Sequence, residues 1–278
     1  MSNVVADDAV NLEIASSTPL LIERKPGGVL RLVLANPPAN TLSEAMLDAL
    51  AKALAEAEAD AETRVIILAA SGKLFCAGHD LKELTARRSD ADKGREYFKQ
   101  LMDQCASVMQ TIVMHPKPVI AEVNGLATAA GCQLVASCDL AIVSEDATFC
   151  TPGVHIGLFC STPMVALSRN VHRKHAMEML LTGEAITPSH AREIGLVNRV
   201  VPVEYLEQVT LQYAQNIAKK SSMTIKVGKQ AFYQQADMSL ADAYAHTAQV
   251  MTENMLAADA EEGIGAFLED RTPQWRDE

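Results

Sequence analysis

The sequence predicts an α/β protein whose final third is helical. Three observations carry this. Short, strand-like apolar runs alternate with helix-period segments through the first half. Gly, Pro or Asn breakers punctuate the runs. Beyond Gly157 the pattern is helical in several pieces. No fixed-period repeat and no low-complexity linker divides the chain. The expected organisation is one unit: a flexible arm over residues 1–18, a core over 19–200 and a helical region over 201–278.

The elements follow in order. Pro19 to Arg24 and Val29 to Leu34 flank Pro26-Gly27-Gly28 and read as a hairpin. Asn36-Pro37-Pro38 breaks the chain. Ser43 can cap a helix running to about Ala59, with Leu47, Leu50 and Leu54 on one stripe. Arg64 to Ala70 is a buried strand, and residues 71–80 read as an irregular loop. Residues 94–114 form a helix with Met102, Cys105, Met109 and Ile112 on one face, stopped by Pro116-Lys117-Pro118. Val119 to Val123 is a strand, Asn124-Gly125 a turn and Ala129 to Ser137 a helix. Leu140 to Val143 and Thr148 to Cys150 are short strands. The helical remainder breaks near Gly183, Pro188, Pro202 and Ser221-Ser222.

Lys and Arg number 24 against 35 Asp and Glu, a formal charge of −11. Nucleic acid and anionic membrane surfaces are excluded as partners, because either needs a cationic footprint. No run is long and apolar enough to span a bilayer, and residues 1–18 lack the basic and apolar segments of a signal peptide. The six cysteines have no CxxC spacing and several sit in apolar runs. They read as reduced, buried thiols, which implies a reducing compartment, taken as the cytoplasm, and no metal site.

Two small-residue turns draw attention: Phe75-Cys76-Ala77-Gly78-His79-Asp80-Leu81-Lys82, and Asn124-Gly125-Leu126-Ala127-Thr128-Ala129-Ala130-Gly131-Cys132. Such turns let backbone N–H groups approach a negative oxygen closely, and two together can form an oxyanion hole. Equally, Ala and Gly could be there only for close strand–helix packing.

The string Pro118 to Leu134, followed by Ser137-Cys138-Asp139, resembles the signature of the crotonase (enoyl-CoA hydratase/isomerase) superfamily. Asn36-Pro37-Pro38 with Leu42-Ser43, the Ala77 to Lys82 turn, and Thr182-Gly183 followed by Ala191 to Val197 match in the same order. The resemblance spans roughly residues 20–277. It implies a crotonase-like spiral of ββα units with a C-terminal helical trimerisation region, assembling as homotrimers or dimers of trimers. It also implies an acyl-CoA or enoyl-CoA thioester substrate, with coenzyme A entering as part of that substrate and no permanently bound cofactor. The family's oxyanion donors fall on the backbone N–H groups of His79 and Ala130. Its coenzyme A contacts fall on Ala77, Gly78, Asp80, Leu81 and Lys82, and Trp275 stands where the family often places an aromatic near a neighbouring subunit's nucleotide.

The departures from the family are equally specific. The two glutamates that serve hydration fall on Gln133 and Gly153. An amide does not exchange a proton usefully near neutral pH, and glycine has no side chain, so ordinary hydration should lose about 10²–10⁴-fold. The loop Gly157-Leu-Phe-Cys160-Ser-Thr-Pro163 lacks the family's glycine-rich segment. If residues 151–156 are extended, Gly153 and His155 share a side and His155 becomes a base for the vacated space. Asp80 is expected to fix its turn. Cys132 and Cys160 read as buried small hydrophobes, and Glu122 as a buried carboxylate needing a partner. His115, His172, His175, His190 and His246 show no coordinated spacing. The expected label is therefore enoyl-CoA hydratase-like, with other enolate chemistry (isomerase, decarboxylase or thioesterase) or turnover-free CoA-ester binding as alternatives. A dinucleotide oxidoreductase is a weak alternative, because no GxGxxG follows the first strand and no acidic residue is placed for a ribose.

Overall fold

The computed structural model describes residues 19–278, so the expected arm over 1–18 lies outside the described residues. Strands β1 (Leu20–Lys25) and β2 (Val29–Leu34) pair antiparallel, with Leu20 opposite Leu34 and Lys25 opposite Val29. Helix α1 (Glu44–Ala59) starts at Ser43, whose side-chain oxygen accepts the Met46 N–H at 3.2 Å. Next come β3 (Val65–Ala70), β4 (Leu74–Cys76), α2 (Leu81–Ala86) and α3 (Arg95–Met114). Then follow β5 (Val119–Val123), β6 (Leu126–Thr128), α4 (Ala130–Ser137), β7 (Leu140–Ser144) and β8 (Thr148–Cys150).

The expected alternation resolves into a repeated unit. A long strand enters a six-stranded sheet of order β1-β2-β3-β5-β7-β9, β9 being Arg199–Val201, then a short strand enters a three-stranded sheet of order β4-β6-β8. Helical turns follow, and the unit recurs as β3–β4, β5–β6 and β7–β8. The strand ladders beyond β1–β2 are parallel, and Phe149 of β8 adds one isolated antiparallel bridge to Ile186. This is the ββα spiral.

The larger sheet buries both faces, so its strands read as continuous apolar runs. Leu30, Leu32, Leu34, Ile66, Leu68, Val119 and Ala121 pack toward the side of α1, α3 and α4. Val29, Val33, Val65, Ile67, Ile120 and Ile142 pack against α8 (Leu206–Ala218). The C-terminal half continues through α5 (Pro163–Asn170), α6 (Arg173–Thr182), α7 (Pro188–Glu193), β9 (Arg199–Val201), α8 (Leu206–Ala218), α9 (Ser222–Gln235), α10 (Leu240–Met255) and α11 (Ala258–Leu268). Among the described residues no helix is long and apolar enough to cross a membrane.

Three expectations are corrected. Residues 71–80 contain strand β4, and Leu126 to Thr128 form β6, each only three residues long and too short to show a period. The helical remainder contains β9, which pairs with β7 at the sheet edge. Residues 152–156 are not extended but a 3₁₀ turn, Pro152–Ile156, closed by Gly157 at φ 76°. Pro152 at its first position favours that turn.

Candidate active site

Two backbone turns meet at the mouth of one cavity. Gly78 ends the turn after β4 at φ 85°, and a Cβ there would lie 3.1 Å from the Ala130 nitrogen and 3.2 Å from the Thr128 carbonyl. Only glycine lets the two segments touch so closely. Ala129 is held at φ 51°, ψ −118°, an unusual conformation for a residue with a Cβ. Its N–H donates to the Cys150 carbonyl at 3.0 Å, which pins the strained turn to β8. Ala130 then opens α4, so its N–H has no intrahelical acceptor. Neither it nor the His79 N–H meets an acceptor among the described residues. The packing reading of the small-residue runs holds at two positions. Gly78 lets its turn lie close to Thr128–Ala130, and Gly131 lets α4 lie close to β4, since a Cβ there would fall 2.2 Å from the Cys76 carbonyl oxygen.

The cavity has a volume of about 360 Å³. Ala77, His79, Leu81, Ala130, Gly153 and His155 all line it, so the fold brings together most of the residues singled out in the sequence. Its wall is largely apolar, with Leu84, Met102, Leu158 and Phe159 among the lining residues. Leu84 is not among the residues singled out in the sequence, where residues 81–93 receive no assignment. The signal was present: Asp80 caps α2 by accepting the Lys82 N–H at 2.8 Å, and Glu83 follows three residues later. Asp80 thus fixes its turn as expected, and Lys82 is exposed outside the lining.

Each cavity histidine has one ring nitrogen on a backbone carbonyl. His79 Nδ1 lies 3.2 Å from the Leu42 oxygen, and His155 Nε2 lies 2.9 Å from the Thr182 oxygen. A carbonyl only accepts, so each of those nitrogens carries a proton. His79 Nε2 is buried and has no partner among the described residues, and burial pushes the imidazole pKa down. The alternation argument for His155 fails with the 3₁₀ turn, although His155 and Gly153 still line the same cavity.

Gln133 is 3% exposed, does not line the cavity, and has a buried Oε1 without a partner among the described residues. At Gly153 a Cβ would lie 3.0 Å from Cys160 Sγ. All six cysteines are buried and free. Burial pushes the Cys132 and Cys160 thiols up, so neither is an activated nucleophile. Glu122 accepts from Arg31 Nη2 at 2.6 Å on the α8 side of the sheet, away from the cavity lining. Trp275 also lies outside the cavity, its indole N–H donating to the Lys219 carbonyl at 2.8 Å and its ring facing Gly263. Among the described residues no group of His, Cys, Asp or Glu is placed to hold a metal ion.

The enoyl-CoA hydratase/isomerase family model matches residues 24–278. The chain is 47% identical over 261 residues to the enoyl-CoA hydratase domain-containing protein 3, mitochondrial, of Rattus norvegicus, covering 94% of this chain and 85% of that protein. The crystal structure of the human enoyl-CoA hydratase domain-containing protein 3 superposes with a TM-score of 0.87 at 47% identity, covering 92% of this chain and 100% of that one. An enoyl-CoA hydratase of Mycobacterium smegmatis gives 0.88 at 48%, covering 93% and 99%. The expected cytoplasmic location does not stand: the rat and human relatives are named mitochondrial proteins, and buried reduced thiols do not single out one compartment. With the ββα spiral, the two meeting turns and a family match over nearly the whole described chain, this protein belongs to the enoyl-CoA hydratase/isomerase family.

Proposed function

We propose that this protein binds an acyl-CoA thioester and stabilises its enolate between the backbone N–H groups of His79 and Ala130, while ordinary hydration of 2-enoyl-CoA is suppressed. One observation carries the reading: the Gly78 turn lies so close to Ala130 that a Cβ on Gly78 would stand 3.1 Å from its nitrogen, with both N–H groups uncommitted beside an apolar cavity. Aligned donors favour a thioester oxygen more as it gains charge than when it is neutral. The charge of −11 opposes steering of anionic coenzyme A, so recognition rests on local donors such as the Ala77–Lys82 turn. Arg24 is less available, because it pairs with Asp60 at 2.8 Å. Coenzyme A arrives with the substrate, and no resident cofactor is invoked.

Gln133 and Gly153 supply no carboxylate, which favours a second reading, CoA-ester binding without turnover. The two are separated by a panel of 2-enoyl-, 3-enoyl- and malonyl-type CoA esters, with binding measured in parallel. Binding with turnover of any member supports the enzyme, binding alone supports the second reading, and no binding overturns both.

A homotrimer or dimer of trimers completes the proposal. Leu240, Leu256, Phe267 and Leu268 on and beside α10 and α11 are each at least 77% exposed, an apolar face suited to a second copy.

A further inference from the structure

We propose that the cavity selects an uncharged acyl group of about eight carbons and rejects carboxylated ones, with Leu158 and Phe159 setting that choice. This deepens the reading above and rests on it. The first observation concerns charge: among the described residues, no Asp, Glu, Lys or Arg lines the cavity. Its polar side chains are the imidazoles of His79 and His155 and the hydroxyls of Thr128, Ser161 and Thr162. Each imidazole has one nitrogen on a backbone carbonyl, and the Ser161 hydroxyl donates to the Phe159 carbonyl at 3.3 Å. Lys82 follows the lining residue Leu81 but is exposed outside the lining. A carboxylate entering this space loses its water with no lysine or arginine to pair with.

The second observation is the wall. Leu81, Ile156, Leu158 and Phe159 line the cavity yet stay at least 41% exposed, so they present apolar surface that an acyl chain would take out of water. The Ala77–Lys82 turn is the proposed coenzyme A side, which leaves the acyl group the wall built from residues 152–163. Leu158 and Phe159 belong to that wall, and a Cβ on Gly153 would stand 3.2 Å from the Leu158 carbonyl. Volume sets the length. At roughly 30 Å³ for a water-sized group, the cavity of about 360 Å³ takes on the order of a dozen heavy atoms, a thioester with about eight acyl carbons. The lack of a cation disfavours malonyl-type esters as well, so the cavity suits isomerisation or thioester hydrolysis better than decarboxylation.

The test measures affinity of the full-length protein by calorimetry for butyryl-, hexanoyl-, octanoyl- and dodecanoyl-CoA. It adds suberyl-CoA, which differs from octanoyl-CoA by a terminal carboxylate in place of a methyl, and the methyl ester of suberyl-CoA, which keeps the bulk without the charge. Affinity should rise about fourfold per methylene from butyryl to octanoyl and level off by dodecanoyl. Suberyl-CoA should bind at least about 100-fold more weakly than octanoyl-CoA, and its methyl ester should regain most of that loss. Leu158→Lys places a cation on the exposed wall and should move the suberyl-to-octanoyl affinity ratio at least about tenfold toward suberyl. Phe159→Ala should flatten the methylene series. Equal affinity for butyryl- and octanoyl-CoA, or suberyl-CoA within a few-fold of octanoyl-CoA, overturns this inference and leaves the proposed function standing. An unchanged ratio in folded Leu158→Lys together with an unchanged series in folded Phe159→Ala overturns the assignment of the two residues. Absence of binding by every ester overturns the proposed function as well.

Discussion

A Cβ built on Gly153 would stand 3.0 Å from the Sγ of Cys160, 3.2 Å from the Leu158 carbonyl and 3.3 Å from the Cys160 nitrogen. The glycine and the cysteine therefore share one space. The place where the resemblance puts the family's second glutamate is crowded from the following loop. Restoring carboxylates through Gln133→Glu with Gly153→Glu should consequently fail to raise hydration while Cys160 is present. Adding Cys160→Ala relieves the Sγ contact, and the triple variant should exceed the double in a 2-enoyl-CoA hydration assay. Equal rates would show that the thiol is not the obstacle.

The same contact predicts coupling in stability. Gly153→Ala forces a methyl against Sγ and should cost about 1–3 kcal/mol by denaturant unfolding. In a Cys160→Ala background the cost should shrink, giving a non-zero interaction energy in the double-mutant cycle.

Gly131 tests the packing beneath the proposed oxyanion donors. Its Cβ would meet the Cys76 carbonyl at 2.2 Å, and backbone cannot yield as a side chain does. Gly131→Ala should destabilise by more than about 3 kcal/mol, and the folded fraction should lose CoA-ester affinity. A stable variant with unchanged affinity would remove the claim that α4 must sit this close to β4.

The buried pair Arg31–Glu122 predicts an asymmetry. Burial outweighs the arginine's pull and holds the Glu122 carboxyl above its ordinary range, and Glu122 Oε2 and Arg31 Nε have no partner among the described residues. Arg31→Met alone should cost about 3–5 kcal/mol by stranding the carboxylate, whereas Arg31→Met with Glu122→Leu should cost much less. Equal losses would mean that the pair is net stabilising.

Acid should release the C-terminal segment. Glu262 accepts from Arg271 at 2.6 Å and from the Gln274 N–H at 2.7 Å, and these bonds hold its carboxyl down to about 2. A depressed carboxylate contributes stability above its ordinary pKa of 4.5 and loses it as pH falls toward about 2. Trp275, the single tryptophan, should report the change by fluorescence within that window. Glu262→Gln should flatten the step.

Much of this was legible in the residues. The hairpin around Pro26, helix α1 with its Ser43 cap and helix α3 follow from turn chemistry and strong 3.6-residue periods. The three-residue strands β4, β6 and β9 were less so: β4 and β6 exist through pairing in the second sheet and β9 through pairing with β7, long-range relations that no local period records. At the site, the meeting of two small-residue turns was readable as a pattern. The position of Cys160 over Gly153 was not, because it depends on how the loop after the 3₁₀ turn folds back. The carbonyl partners of His79 and His155, which decide their tautomers, come from segments 37 and 27 residues away.

The central claim is that the oxyanion hole survives without the hydration machinery. Its most direct measurement is hydration of crotonyl-CoA by the purified protein, with affinity for butyryl-CoA measured on the same sample. The account predicts CoA-ester binding together with hydration about 10²–10⁴-fold below that of a glutamate-bearing relative. Hydration at the relative's rate, or no CoA-ester binding, would contradict it.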